Sequence, residues 1–509
     1  MPIPGGSSGF GCVSLPVADR RSLALAALAG LAAGLGQAPF SLVPVALAGL
    51  ALSCWLCRAA LSPRRAALIG WVTGTAYFAL TLHWIVEPFF VDAARHGWMA
   101  PFALIFMSGG LALFWATAFG FARWLAQGRG SFALAFALCL TAAELLRGYI
   151  FTGFPWVLVG QIWSDGPGLQ LAAFTGPYGL TLVTVVIAAI SAVLRPAPAL
   201  AVVLVGWGGV VGLGALRPDL PMAEPVGTVR LVQPNAPQDQ KWDPDLVPVF
   251  FRRSLDLSAA EGDVDLVVWP ETSLPFLLTG ADPILAEISG RAGGVPVIAG
   301  AQRREDGRYY NALAVLSAEG ALLDVYDKHH LVPFGEYIPF GDVLRRGGLR
   351  GLAEIVGGYS AGPGPRVLDL GPLGQPQPLI CYEAIFPQEV GAVAARPDWL
   401  LQITNDAWFG TFAGPQQHLA IARMRAVEHG LPMLRAANTG ISAGIDARGR
   451  VIGEIPMGVA GHLDVALPPP GPETLYARTG DWPVAVLLLL MISALGAWRI
   501  FLESGRARR

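Results

Sequence analysis

Lysine is almost missing from this 509-residue chain: of its 35 cationic residues, 33 are Arg, leaving only Lys241 and Lys328. Charge of either sign is scarce, at 14% of residues, while 53% are hydrophobic. Soluble domains carry about 25% charged residues, and a disordered chain combines high charge with low hydrophobicity, so both classes fit poorly. The net charge is -2 and no basic run is present, which excludes the electrostatic footprint of a nucleic-acid binder. Five cysteines, an odd number, exclude a fully paired disulfide scaffold. A chain that uses Arg almost everywhere and still keeps a lysine either needs an amine there or retains it as a leftover.

The charges that remain are unevenly placed. Residues 1–217 carry 16 of the 72 and residues 482–509 carry five, so 51 fall in 218–481. A spanning helix needs roughly 20 mostly apolar residues. Seven such runs precede the polar region, at about 22–39, 42–61, 67–86, 100–122, 131–150, 170–194 and 198–216, and an eighth covers 482–502. Gly and Pro inside them are tolerated in membrane helices. Eight runs of this length exceed what one buried core can hold. They predict a polytopic helical membrane domain over 1–217, an eighth span at 482–502 and a short tail at 503–509. Trp84, Phe89, Phe90, Phe154 and Trp156 predict interfacial or re-entrant pieces around 84–99 and 151–169. With the N-terminus cytoplasmic, twelve Arg lie in cytoplasmic loops and ends, against Arg95, Arg147 and Arg217 opposite. That is a positive-inside bias. Seven spans then deliver the polar region to the outer side, and the eighth returns the tail to the cytoplasm. No cleavable signal peptide is visible, so the first span is expected to act as an anchor.

Between 228 and 467 the pattern changes to short strand-like runs at 229–235, 265–271, 295–301, 312–317, 378–383, 399–406, 433–438 and 441–446. Helical stretches at 244–260 and 414–429 lie between them. Several runs are continuously apolar, as when both faces of a sheet are covered, so an α/β sandwich is expected. Polar residues close these runs: Gln233 and Asn235, then Glu271, then Cys381 and Glu383, then Asn405 and Asp406. Sheets of this kind collect their chemistry where loops leave the strands, although such residues also serve as ordinary turn formers. Cys54 and Cys57 form a CxxC inside an apolar span, where packing is a better reading than redox chemistry. Cys381 is the only thiol of the polar domain, and is therefore either well buried or chemically employed.

Three stretches offer a carboxylate, an amine and a thiol: WPETSLPF (269–276), YDKHHLVPFGEYIP (326–339) and LICYEAIFP (379–387). A thiol becomes a good nucleophile when a base or a nearby cation favours the thiolate. Glu271 can supply the base and Lys328 the cation. Spacing alone leaves this open, because 57 residues separate Glu271 from Lys328 and 53 more separate Lys328 from Cys381.

These stretches resemble the Glu–Lys–Cys motifs of the nitrilase (carbon–nitrogen hydrolase) superfamily. Taken with the membrane frame, ELLRGYIFTGFPW (144–156), QPNAPQDQKW (233–242), TNDAWFG (404–410), QHLAIARMRAVE (417–428) and YARTGDWP (476–483), they resemble the bacterial apolipoprotein N-acyltransferases. The resemblance covers nearly the whole chain and is weakest in residues 1–65. One departure is His329, where the family pattern leads one to expect Asn after the lysine.

The resemblance implies a nitrilase-like αββα sandwich on the periplasmic side of a bacterial inner membrane. It implies transfer of a fatty acyl chain from a phospholipid to the α-amine of the diacylglyceryl-modified N-terminal cysteine of an apolipoprotein, the last step of lipoprotein maturation, with no cofactor. It assigns Cys381 as the nucleophile that carries a thioester and Glu271 as the base. Lys328 and the backbone N–H of Tyr382 become the oxyanion donors. Glu336 is expected to orient Lys328 or Glu271, and Glu383 to lie beside the nucleophile. Trp242 and Tyr382 are expected to line the substrate entrance, and residues 351–363 to form a lid dipping into lipid. Lys241 has no derivable role beyond meeting lipid headgroups. The main alternative is a membrane-tethered amidase of the same triad, which delivers the acyl group of a small amide to water. A metal hydrolase built from Asp327, His329, His330 and His418 is disfavoured, since adjacent histidines point apart on a strand and no HExxH appears; no metal is expected. Few ionisable residues lie in the spans, Glu144 and Arg147 near an end, which argues against a transporter.

Overall fold

The computed structural model describes residues 20–126, 128–220, 224–339 and 358–507. Each of the eight apolar runs coincides with a helix: Arg20–Gly34, Val43–Ala59, Pro63–Thr81, Ala100–Leu125, Arg129–Tyr149, Ala172–Val193, Pro196–Ala215 and Trp482–Ala507. Among the described residues, five helices are long and apolar enough to cross a membrane, or six if Pro63–Thr81 and the 49°-bent His83–Phe90 form one span. The first two helices, of 15 and 17 residues, are shorter than their runs, because the first run included the apolar turn after Gly34 and the second the residues flanking Val43–Ala59. Val205 on the seventh helix and Leu489 on the eighth are 74% and 67% exposed, as expected where lipid takes the place of water.

Between these helices the chain builds two sheets. The first holds β1 (Gly227–Gln233), β2 (Leu266–Val268), β3 (Val297–Glu305), β4 (Arg308–Leu316), β5 (Leu322–Asp327) and a late strand, β11 (Gly461–Leu467), in the order β11-β1-β2-β3-β4-β5. The second holds β6 (Pro376–Ile380), β7 (Trp399–Thr404), β8 (Met433–Ala437), β9 (Ser442–Ile445) and β10 (Val451–Ile455), in the order β10-β9-β8-β7-β6. Side chains alternate between faces along a strand. Val229, Leu231, Val268 and Ile298 of the first sheet therefore meet Ile380, Leu401, Ile403 and Leu434 of the second in one shared apolar layer. The opposite faces are covered as well. Val232, Val267 and Ala299 pack under Leu255, Leu285 and Ile288 of the helices Val247–Ser258 and Asp282–Arg291. Leu379, Leu400 and Met433 pack under Ala422 and Ala426 of the helix Gly414–His429. This is the expected αββα sandwich. Three strands escaped the sequence reading. β10 and β11 keep one face open and β5 is exposed at its start, so polar residues interrupt runs such as Leu322–Asp327 and Gly461–Leu467.

The Gly414–His429 helix also joins the sandwich to the membrane helices. Its Met424 and Val427 pack with Val43, Leu47 and Ile162. Its Gln417 accepts indole N–H bonds from Trp84 (3.0 Å) and Trp156 (2.9 Å), and donates to the carbonyls of Thr81 (3.0 Å) and Ala38 (3.2 Å). Trp84 and Trp156, expected in interfacial or re-entrant pieces, are thus buried joints, and Trp84 lies on the bent His83–Phe90 helix. A buried Glu144–Arg147 pair stands behind them, and Arg147 Nη1 holds the carbonyls of Phe154 and Trp156.

Candidate active site

Cys381 lies immediately after β6, and its backbone is left-handed, with φ of +52°. For a residue with a Cβ that conformation costs about 1–3 kcal/mol and persists only where the surroundings impose it. Here they do. The buried Glu383 carboxylate accepts the N–H of Ile380 at 2.6 Å, closing the turn from its inner side. The Cys381 carbonyl accepts from Gln402 Nε2 at 3.3 Å. Gln402 Nε2 also lies 2.9 Å from Nε2 of His418, whose Nδ1 is 2.9 Å from Asp406. Burial and the charge of Arg435 lower the His418 pKa, so the ring is neutral. It then carries its proton on Nδ1, facing Asp406, and accepts from Gln402 through Nε2. Arg435 in turn pairs with Asp406.

Glu271 and Lys328 come from the other sheet. Glu271 ends the short loop after β2, and Lys328 follows β5. Their side chains meet: Lys328 Nζ is 3.3 Å from Glu271 Oε1 and 2.9 Å from Glu336 Oε1. Asn311 Nδ2 donates to the same two oxygens, at 2.8 Å each. The N–H of Asn405 holds the other Glu271 oxygen at 2.9 Å, and the N–H of Val332 holds the second Glu336 oxygen at 2.7 Å. Two carboxylates thus share one ammonium. Burial disfavours the Lys328 charge, but Glu271, Glu336 and Cys381 together outweigh it and raise its pKa. The Cys381 thiol is pushed up by burial first and by Glu271 second, with Lys328 opposing. It therefore rests as a thiol, and a base must take its proton as it attacks.

The supporting residues divide. Glu336 holds Lys328, as expected. Glu383 clamps the backbone: besides Ile380 it accepts from the N–H of His329 at 2.7 Å and from the Tyr326 hydroxyl at 3.0 Å, tying the loop after Lys328 to the loop after Cys381. His329, the departure from the family pattern, pairs with Glu383 and Glu389. Burial alone would lower its pKa, yet the two carboxylates hold it up at about 9. The Tyr382 ring is buried against Phe386 and His330, with its hydroxyl 3.5 Å from the Gly153 carbonyl, so it faces the membrane helices and is closed off from solvent. Trp242 is 45% exposed and edges a small open pocket of about 30 Å³. Lys241 is not at the headgroup surface. It is buried, with its amine bonded to Glu271 and Thr272. Of the expected lid, 351–357 lies outside the described residues; Gly362 N–H bonds the Lys328 carbonyl at 2.9 Å.

The residues of the metal alternative sit in separate partnerships: Asp327 with Arg303, His329 and His330 with Glu389, His418 with Asp406. Of the strand-end polar residues, Glu271, Cys381 and Asn405 converge. Gln233 instead pins Ser442 and the carbonyls of Pro456 and Val459, and Asn235 the carbonyl of Gly458. The sequence reading missed Asn311 and Glu389. The one signal for Asn311 was a lone amide directly before the apolar second half of β4.

Residues 29–190 match the family described as apolipoprotein N-acyltransferase N-terminal domain, and residues 228–470 match carbon-nitrogen hydrolase. An apolipoprotein N-acyltransferase of Rhodopseudomonas palustris is 38% identical, covering 92% of this chain and 93% of its own length. One of Caulobacter vibrioides is 40% identical, covering 94% of each chain. Among solved structures, a nitrilase-superfamily amidase of Nesterenkonia sp. AN1 is similar at 18% identity and a TM-score of 0.37, over 51% of this chain and 96% of its own. With the sandwich, the apolar helices and this full-length similarity in place, the chain belongs to the apolipoprotein N-acyltransferases.

Proposed function

We propose that this chain moves a fatty acyl group from a membrane phospholipid to the α-amine of a diacylglyceryl-cysteine at the N-terminus of an apolipoprotein, using Glu271, Lys328 and Cys381. The observation that carries the reading is the buried Lys328–Glu271 pair, 3.3 Å apart, whose two charges both act on the Cys381 thiol. Glu271 takes the proton from Sγ as the sulfur attacks the ester carbonyl. The tetrahedral oxyanion is held by Lys328 and the N–H of Tyr382, a kind of contact whose loss typically costs about 100- to 1000-fold in rate. Collapse expels lysophospholipid, whose alkoxide recovers the proton from Glu271, and leaves a thioester on Cys381. The apolipoprotein amine then attacks the thioester carbonyl and loses its proton to Glu271. Collapse forms the amide and releases the sulfur, which is reprotonated. Trp242 stands at the entrance.

Both substrates are lipids, so a membrane-held site meets them by lateral diffusion. The topology that follows has seven spans in 1–217, the catalytic domain at 228–467 on the periplasmic side of the inner membrane, an eighth span at 482–502 and a cytoplasmic tail at 503–509.

The test is intact-mass analysis. Incubation with phospholipid should add one acyl mass at Cys381, and a lipidated apolipoprotein peptide should discharge it as an amide. Cys381→Ala should take no label. An unmodified thiol, or discharge to water as fast as to the amine, would sink the reading and favour an amidase.

A further inference from the structure

The chain's two lysines converge on one residue. Lys328 Nζ approaches the carboxylate of Glu271 at 3.3 Å, and Lys241 Nζ approaches its backbone carbonyl at 3.2 Å. The Lys241 amine also donates to Thr272 Oγ1 at 2.9 Å, so it grips both residues of the Glu271–Thr272 peptide. That peptide needs a grip. Thr272 is left-handed, with φ of +47°, a conformation that a β-branched residue adopts only under constraint. Beyond it, the N–H groups of Ser273 and Leu274 return to the Gly300 carbonyl at 2.9 and 3.0 Å, which fixes the far side of the turn. On the near side the Pro270 carbonyl accepts from the Gly300 N–H at 3.2 Å, and between these two anchors Lys241 holds the peptide.

Lys241 is itself held. Its N–H bonds the Pro237 carbonyl at 2.8 Å. One residue further along, Gln238 Oε1 accepts from Asn405 Nδ2 at 2.7 Å, and the N–H of Asn405 binds the second Glu271 oxygen at 2.9 Å. The segment 237–241 therefore frames Glu271 on its main chain and, through Asn405, on its carboxylate. The amine lies at the wall of the small pocket lined by Trp242, Val247, Phe250 and Pro275. Burial in these apolar surroundings brings the Lys241 pKa down to about 8, against the opposing charge of Glu271. Two acceptors suit a compact ammonium. A guanidinium would bring five N–H groups in a rigid fork to the same place.

We propose that Lys241 is the positioning residue of the catalytic base: by holding the Glu271 carbonyl and the Thr272 hydroxyl, it sets the Glu271 carboxylate within reach of the Cys381 thiol. This rests on the acyl-transfer roles given above for Glu271 and Cys381, and it gives the second lysine a reason to have survived.

The test is single-turnover acylation of Cys381 by phosphatidylethanolamine vesicles, in the full-length protein, followed by intact mass. Wild-type protein comes first: if it forms no thioester, the acyl-transfer reading itself fails. If it does, Lys241→Met, which keeps the stem and removes the amine, should acylate roughly 100-fold more slowly, the cost of moving a catalytic group by about 1 Å. The phospholipid concentration giving half-maximal rate should stay the same. Lys241→Arg should be slow as well, and Thr272→Val, which removes one of the two anchors, should lose roughly 10-fold, about half that effect on a logarithmic scale. An unchanged rate in Lys241→Met overturns the proposal. So does an unchanged maximal rate with a raised half-saturating concentration, which would make Lys241 a substrate contact. Should Lys241→Met fail to fold, Thr272→Val decides: wild-type rates in that variant overturn the proposal equally.

Discussion

At the scale of the residue, the site is an imbalance of charge: two carboxylates, the buried Glu271 and the partly buried Glu336, share a single ammonium. Lys328→Met would remove the ammonium from the Oε1 atom of each carboxylate and leave those two oxygens on Asn311 Nδ2. Breaking a buried pair costs about 3–5 kcal/mol, much of it from the charge left behind. Lys328→Met should therefore lose stability on that scale along with acylation. Adding Glu336→Gln should restore much of the stability and none of the acylation, which separates the two roles of the lysine; denaturant midpoints and thioester mass read them independently. His329 yields a prediction on pH. Its folded pKa of about 9 lies above the ordinary value of 6.5, because Glu383 and Glu389 outweigh its burial. A raised folded pKa contributes stability that is complete below the unfolded pKa and lost as pH rises through the folded one. Melting temperatures measured from pH 6 to 10 should therefore fall more steeply across that window in wild type than in His329→Asn.

At the scale of the element, Glu271, the proposed base, depends on how closely two strands approach. Gly300 in β3 lies against the loop after β2, and a Cβ there would stand 2.3 Å from the Pro270 carbonyl oxygen and 2.6 Å from the Glu271 Cα. Neither is a flexible side-chain end, so Gly300→Ala must push the Glu271 backbone away. Overpacking of this kind costs about 1–3 kcal/mol, while a shift of about 1 Å in the base costs roughly 100-fold in rate. A folded Gly300→Ala protein with normal phospholipid saturation and slow acylation is the expected result. This dependence also marks where sequence reading reaches its limit. Runs such as 399–406 predict strands because both faces of that sheet are covered, so local composition carries the signal. The partly exposed strands β5, β10 and β11 give no such signal. Glu271, Lys328 and Cys381 were legible because each stands in a distinctive motif of its own. Asn311 and Asn405 reach Glu271 across 40 and 134 residues of chain, through an amide and a backbone N–H that no periodicity announces. Lys241 was visible as a rarity and not as a function, because its partners are a carbonyl and a hydroxyl of a turn whose left-handed backbone only the folded chain displays.

At the scale of the whole molecule, the sandwich and the helices share a core. Tyr382, Ile385, Phe386 and Ile421 are buried in one cluster with residues of the membrane helices, and Met424 and Val427 in another. Burying a large apolar side chain is worth about 1.5–3 kcal/mol, so these six represent on the order of 10 kcal/mol. The net stability of a domain is about 5–15 kcal/mol. Detaching the sandwich would thus remove an amount comparable to everything that holds it folded. It would also orphan the Gln417 contacts to Trp84 and Trp156 one residue from His418, whose neutral ring helps hold Gln402 on the Cys381 carbonyl. The membrane helices are therefore part of what keeps Cys381, the proposed nucleophile, in place, beyond anchoring it near lipid. A fragment covering 224–471, expressed alone, should aggregate or bind hydrophobic dyes, and should form no thioester. Co-expression with a 1–220 fragment in membranes should restore both solubility in mild detergent and labelling of Cys381. A 224–471 fragment that stays monomeric in water, melts cooperatively and takes up the acyl group would show that the shared core is dispensable, and that the helices do no more than tether.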